Sequence, residues 1–395
     1  MSQIVNANST TLSNTTNSAE TIANHEYLVG EFSLHLNVKP LISFRKVSSL
    51  WRLLFSSKCF VSRYNRLHPP SLSGLLLVPK YRTKKENDQI EYICLGDQNE
   101  SVTPVFPFKD MTNVTLLQSS NGLLLYCKGE KYYVFNPSIQ EKILLPSCLG
   151  DFSPTSPLYC SLAFDPLISQ HYKIIGLTKT RNNSMYKIFI YSSESNLWTP
   201  SKAPEFSAPR DIDFTSGIYC NGSVHWTKRT KRGLYFDIEK ETINDMPENP
   251  RQEQYSCEYF GHSKGYLCCL FTMESLPYYE LFEMKKDYSA WDFKCKIELD
   301  VLASQFPKMS MKTNSRNPHF LYQCHVLSVF RGHNGEFEEI IMSIPGEVIA
   351  YNCKEKTSRQ IYKSRKSEKE KKIWYGIYQV YDFVESISPV SFLTT

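Results

Sequence analysis

Hydrophobic positions along the chain change their period once. From Tyr27 to about Phe60 they recur at helical spacing: Val47, Leu50, Trp51, Leu54 and Phe55 stand at i, i+3, i+4, i+7 and i+8, one apolar stripe on one face. Pro40 suits the first turn of a helix running through Leu41, Ile42 and Phe44. Segment 28–56 therefore predicts short helices with tight connections. That is too little chain to fold robustly alone, so it also predicts a partner surface.

After HPPSLSG at 68–74 the pattern becomes strand-like and stays so almost to the end. GLLLVP, EYICLG, KYYVFN, KIFIYS, GYLCCLF, YYELFEM and EEIIMSI are short, rich in β-branched and aromatic residues, and separated by Gly, Pro, Asn or Asp. No helical stretch of roughly ten to fifteen residues alternates with them, which disfavours a βαβ sheet. A weak repeat sharpens the picture. Asn121-Gly122 opens strand, polar turn, aromatic strand, polar turn, strand, and Asn221-Gly222 opens the same order. Two further blocks, from Tyr172 and from Lys264, keep the rhythm. A period near 50 is that of kelch-type blades, so the predicted fold class is α+β multidomain: a short helical module followed by a large all-β domain, a β-propeller in preference to a sandwich or open barrel.

Composition adds limits. The 395 residues hold 41% hydrophobic and 13% aromatic residues, with 25 Tyr and 23 Phe, which favours strands and a real core. The opening MSQIVNANSTTLSNTTNSAE is polar, and no apolar run approaches a membrane span, so neither a secretory signal nor an anchor is expected. Twelve cysteines without a C-x-x-C pair predict reduced, core-filling thiols in a cytoplasmic or nuclear protein, with Cys268 and Cys269 on opposite faces of a strand. Segment 354–372 carries nine Lys or Arg against three Glu, whereas the whole chain carries +5. The basicity is local, which makes nucleic acid an unexpected partner and predicts an exposed loop there. The expected divisions are a disordered tail (1–23), the helical module (24–67), a linker (68–74), the β-domain (75–385) and a C-terminal tail (386–395).

Segment 36–60, LNVKPLISFRKVSSLWRLLFSSKCF, resembles the second half of a plant F-box, and the blocks at 121–146 and 217–229 resemble repeats of the F-box-associated domain that follows it. The resemblance spans most of residues 28–380. It implies a substrate-recognition subunit of a cullin-type ubiquitin ligase: the F-box docks a Skp-type adaptor, and through it a cullin, while the β-domain recruits a substrate protein. Carried over position by position, it places adaptor contacts or their supporting core at Val29, Leu36, Val38, Leu41, Ile42, Val47, Ser48 and Trp51. Trp51 reads equally as partner anchor or as core. The chain departs from the pattern where the family has Leu-Pro: Asn24-His25 and Leu36-Asn37 stand there. A non-catalytic propeller scaffold with a decayed F-box is therefore the alternative.

Catalytic motifs are absent from the sequence: there is no H-E-x-x-H, G-x-x-x-x-G-K-[ST], G-x-G-x-x-G or G-x-S-x-G. His325, His333 and Glu336 flank a turn signal at Asn334-Gly335, which explains them better than a metal or acid–base site. No enzyme activity, cofactor or metal is expected. Trp198, Trp226 and Trp291 read as packing within the β-domain.

Overall fold

The computed structural model describes residues 25–79, 90–95, 114–148, 157–180, 185–209, 212–227, 233–248, 250–251, 255–273, 276–310, 322–331, 337–363 and 378–391. Among the described residues four short helices come first: α1 (Glu26–Ser33), α2 (Val38–Phe44), α3 (Ser49–Ser56) and α4 (Lys58–Leu67). Capping side chains explain where the last two start. Ser48 Oγ accepts from Trp51 N at 3.1 Å and Ser57 Oγ from Phe60 N at 3.3 Å.

Strands make up most of the other described residues. Blade 1 begins with β1 (Leu72–Pro79) and β2 (Glu91–Cys94). Blade 2 holds β3 (Thr115–Ser120), β4 (Leu123–Lys128), β5 (Lys131–Asn136) and β6 (Glu141–Leu144). Blade 3 holds β7 (Tyr159–Ala163), β8 (Lys173–Lys179), β9 (Tyr186–Ser192) and β10 (Leu197–Pro200). Blade 4 holds β11 (Ile218–Cys220), β12 (Ser223–Trp226), β13 (Leu234–Asp237) and β14 (Thr242–Asp245). Blade 5 holds β15 (Ser256–Ser263), β16 (Tyr266–Thr272), β17 (Tyr278–Met284) and β18 (Trp291–Glu298). A helix, α5 (Leu299–Gln305), leads to blade 6: β19 (His325–Arg331), β20 (Phe337–Ile344), β21 (Glu347–Asn352) and β22 (Thr357–Lys363). The last strand, β23 (Tyr378–Val384), pairs antiparallel with β1 and returns to blade 1. The six sheets among the described residues make a six-bladed β-propeller.

The innermost strands β23, β3, β7, β11, β15 and β19 lie against one another around the axis. Ser328 on β19 donates to Asp382 on β23 at 3.1 Å, joining blade 6 to blade 1. Apolar clusters fill the seams: Leu123, Leu125 and Val134 of blade 2 meet Leu162, Phe164 and Ile174 of blade 3, and Ile175, Leu177 and Ile188 of blade 3 meet Val224, Trp226 and Phe236 of blade 4. Each blade therefore buries both faces, and alternation of apolar and polar positions is weak in the middle strands. Cys268 and Cys269 do point to opposite faces, into the clusters toward blade 6 and toward blade 4.

Tight turns repeat from blade to blade. Asn121-Gly122 (φ 44° and 91°), Asn221-Gly222 (49° and 76°) and Lys264-Gly265 (46° and 78°) connect first to second strands with the paired positive φ of a two-residue hairpin. Gln140, Asn196, Glu241, Tyr288 and Lys356 hold φ of 61°, 57°, 53°, 58° and 54° between third and fourth strands. These turns share one face of the propeller with the helices, since Arg45 reaches Glu141 and Gln170 Nε2 donates to Lys58 O at 2.5 Å. The two Asn-Gly turns are not equivalent. A Cβ on Gly122 would stand 2.3 Å from Ser386 Cβ, whereas one on Gly222 has nothing within 4 Å. Gly222→Ala is expected to cost about 1–2 kcal/mol for its left-handed backbone alone, and Gly122→Ala measurably more in urea denaturation. Equal losses would mean that Ser386 yields freely.

Three sequence expectations change. Residues 357–363, expected within an exposed basic loop, form β22, the outer strand of blade 6, and Arg359 pairs with Glu339 at 2.7 and 2.8 Å. An edge strand exposed on its outside tolerates charge, so its pattern lacks the apolar alternation that marks a half-buried strand. Residues 364–372 lie outside the described residues, as do 1–23, His333 and Glu336. The strand β1 starts at Leu72, inside the expected linker. Residues 386–391, expected as a tail, are largely buried: Ile387 is fully enclosed and Val390 nearly so.

Candidate functional site

The helical module is built around Val29, Leu34, Leu41, Phe55, Phe60, Val61 and Tyr64, and the residue that completes this cluster is Ile387 from the far end of the chain. An unbroken run of ring contacts, Phe44–Trp51–Phe55–Phe60–Tyr64–His68, threads it, with centroids 4.4 to 6.1 Å apart. Tyr64 donates to Leu36 O at 2.8 Å, and burial with the nearby Glu385 carboxylate pushes its hydroxyl up to about 12. Polar contacts fix the module to the propeller. Arg45 Nη2 lies 2.8 Å from both Ser56 Oγ and Glu141 Oε1. Asn65 donates to Ser388 Oγ at 3.3 Å, and Asn136 of blade 2 donates to Ser386 O and Ser388 O at 3.0 and 2.8 Å. The segment 386–390 thus joins the helices on one side to blades 2 and 3 on the other, where Val390 enters the seam.

Against this frame the eight residues singled out in the sequence separate. Val29 and Leu41 belong to the module's core. Leu36, Val38, Ile42 and Trp51 are half-buried, and Val38 and Trp51 pack on that core. Val47 and Ser48 are exposed, Ser48 as the cap of α3. The structure adds exposed apolar side chains outside the apolar stripe: Tyr27 and Phe32, 67% and 62% exposed, with Leu28 on α1, and Leu53 on α3. Leu28 and Phe32 are spaced i, i+4 and share a helix face. Spacing could have found them, but only the packing of Val29 inward shows that their side faces out.

On the opposite face of the propeller second strands end, third strands begin and the chain passes between blades, among the described residues at 201–209, 212–217 and 299–310. At its seam between blades 2 and 3 lies a cavity of about 270 Å³ lined by Tyr132, Leu145, Pro146, Cys148, Leu158 and Trp198. Trp198 Nε1 donates to Pro146 O at 2.9 Å, and Trp291 Nε1 makes the matching bond to Pro247 O at 3.4 Å two seams further on, so both tryptophans tie an outer strand to the preceding blade. Burial pushes the Cys148 thiol up to about 12.

Around the axis, Asp382 and His262 face each other from β23 and β15. Burial raises the Asp382 carboxyl, opposed by His262 and by the Ser328 hydroxyl; burial lowers His262, opposed by Asp382 and Asp165. Ser328 spends its proton on Asp382, which makes the group a lock between blades. His325 Nδ1 lies 3.0 Å from Glu258. Among the described residues no three His, Cys, Asp or Glu side chains are grouped as a metal site requires, and no helix is long and apolar enough to cross a membrane.

Comparison with known proteins agrees with this architecture. A family model described as "F-box protein At3g26010-like, beta-propeller" matches residues 95–384. The "F-box protein At5g07610" of Arabidopsis thaliana is 26% identical over 402 aligned positions, covering 94% of each chain. The "Putative F-box/kelch-repeat protein At4g22430" of the same plant is 22% identical, covering 77% of each. Among solved structures, an oligogalacturonate lyase in complex with manganese aligns with a TM-score of 0.41 and 9% identity over 64% of each chain, too distant for its chemistry to bear on this protein.

Proposed function

This chain belongs to the At3g26010-like β-propeller family of F-box proteins, and from that premise we propose that it is the substrate-recognition subunit of a cullin-type ubiquitin ligase. In this reading residues 24–67 dock a Skp-type adaptor and the propeller holds the substrate protein without chemistry of its own. The observation that carries the reading is the state of the helical module. Its core is already closed, by Ile387, yet Tyr27, Leu28, Phe32, Val47 and Leu53 stay exposed on it. Large apolar side chains gathered on a module of this size mark a surface for another protein, and helices in a partner can cover them. Val29, Leu41 and the half-buried Trp51 then support the contact surface from beneath. The propeller's opposite face lies away from α1 to α4, and its inter-blade loops suit substrate capture.

The test is reconstitution of the full chain with a purified Skp-type adaptor. Phe32→Ala combined with Val47→Ala is expected to weaken binding about thirtyfold or more, since truncated anchors commonly cost 2 kcal/mol or more. Both side chains point outward, so urea denaturation should move by no more than about 0.5 kcal/mol. A wild-type chain that captures no adaptor would leave a propeller scaffold with a decayed F-box. Unchanged binding by the double variant would place the docking surface elsewhere.

A further inference from the structure

Two thiols in blade 5 stand closer than packing requires. Cys257 Sγ on β15 lies 2.8 Å from Cys269 Sγ on β16, so less than about 1 Å of movement separates them from the roughly 2.05 Å of a disulfide. Strand register explains the approach. Cys257 lies opposite Phe271 and Cys269 opposite Phe260, which places both thiols on one face of the sheet as diagonal neighbours. A bulge between Cys257 and Tyr259 then shifts Cys257 along its strand. Such diagonal pairs ordinarily stay well apart, and the bulge brings this one into contact.

Their surroundings differ in a way that assigns roles. Cys269 is 2% exposed and packs with Phe271 and Phe282, while Cys257 is half-buried at the start of β15. Only Cys257 is open to a small oxidant. We propose that Cys257 and Cys269 are a redox modification site, converted by a peroxide-class oxidant into a disulfide that pins β15 to β16. In the first step the Cys257 thiolate attacks one peroxide oxygen: an S–O bond forms, the O–O bond breaks, and the departing hydroxide takes up the thiol's proton as water. In the second, Cys269 Sγ attacks the sulfenic sulfur: the S–S bond forms, the S–O bond breaks, and hydroxide leaves with the Cys269 proton as a second water. Two thiols lose two electrons and one peroxide gains them. The bond would fix the point where the connection from blade 4 enters the inner strand, on the face opposite the helices. It stands independently of adaptor binding.

The experiment treats the full chain with hydrogen peroxide, blocks remaining thiols with iodoacetamide under denaturing conditions, and maps peptides by mass spectrometry without reduction. The expected result is a cross-linked peptide pair joining Cys257 to Cys269, a titre of free thiols lower by two, and recovery of both on adding dithiothreitol. Cys257→Ser should abolish the pair, and Cys59→Ser, at an exposed thiol outside blade 5, should leave it intact. Should the serine variant misfold, the dithiothreitol reversal in the wild-type chain decides alone. Both thiols recovered as carbamidomethyl cysteines under conditions that oxidise Cys59, or Cys257 found as sulfinic acid beside an alkylated Cys269, would overturn the proposal.

Discussion

Ile387→Ala is expected to destabilise the protein by about 2–5 kcal/mol, the range for deleting most of a fully buried aliphatic side chain. Its Cβ branch fills the core of helices more than 300 residues earlier in the chain, among Leu34, Leu41, Phe55 and Tyr64. The vacated space cannot collapse easily, because Asn65, Asn136 and Ser388 hold the segment by hydrogen bonds on either side. Most of the loss should fall on the helical module, whose core Ile387 completes. Limited proteolysis should then cut between α4 and β1, near His68–Ser71, while the propeller persists. Adaptor capture should weaken in parallel although Ile387 is fully buried and cannot itself meet the adaptor. If residues 386–391 were a free tail, Ile387→Ala would leave melting, proteolysis and capture unchanged.

Mild acid is expected to remove about 3 kcal/mol of stability through one residue, His225. The ring is fully buried on β12, stacked on Tyr235 and Tyr288 with centroids 5.6 Å from each. Its Nε2 lies 2.6 Å from Tyr288 Oη and its Nδ1 3.1 Å from Ile218 O. A neutral ring satisfies both contacts, donating from Nδ1 and accepting the Tyr288 proton. Burial therefore lowers its pKa to about 4, with the Ile218 carbonyl opposing and the His262 charge assisting. In the unfolded chain the same ring titrates near 6.5. Between these values the unfolded state binds a proton that the folded state refuses, so stability is complete above pH 6.5 and declines as pH falls toward 4. Below pH 4 both states are protonated and this contribution stops changing. Urea denaturation from pH 7 to pH 4 checks it against His225→Gln, which cannot titrate. The variant should be less stable at pH 7 yet lose about 3 kcal/mol less across the range. Parallel curves for the two proteins would show that His225 is not the group responsible.

Much of the propeller was legible because its signals are local. Asn-Gly at 121–122 and 221–222 requires positive φ, which few other residues adopt at low cost, and both pairs form the hairpins they predict. Apolar runs rich in leucine and aromatic residues supply both faces of the middle strands, as in Leu123–Lys128 and Tyr266–Thr272. Outer strands were harder. β22 carries Arg359 and Lys363 in a pattern indistinguishable from a solvated loop, and only pairing with β21 makes it a strand. Of the interaction surface, the stripe through Leu50, Trp51, Leu54 and Phe55 was readable. Which apolar residues of α1 face outward was not, because Tyr27, Leu28, Val29 and Phe32 are all apolar and only packing separates them.

The sequence by itself therefore determined the change from helices to strands, the blade-like repeat and its turns, each set by dihedral preference or by the period of a short window. The tertiary structure alone decided how the ring closes and what lies under the helices. β23 pairs with β1 across some 300 residues, Ile387 enters a core made by residues 29–64, and Cys257 meets Cys269 through a bulge. None of these contacts leaves a mark on local composition. The first two depend on where the accumulated twist of six sheets returns the chain, a distance on which a pattern read within one window carries no information, and the third on a bulge that the strand pattern does not show.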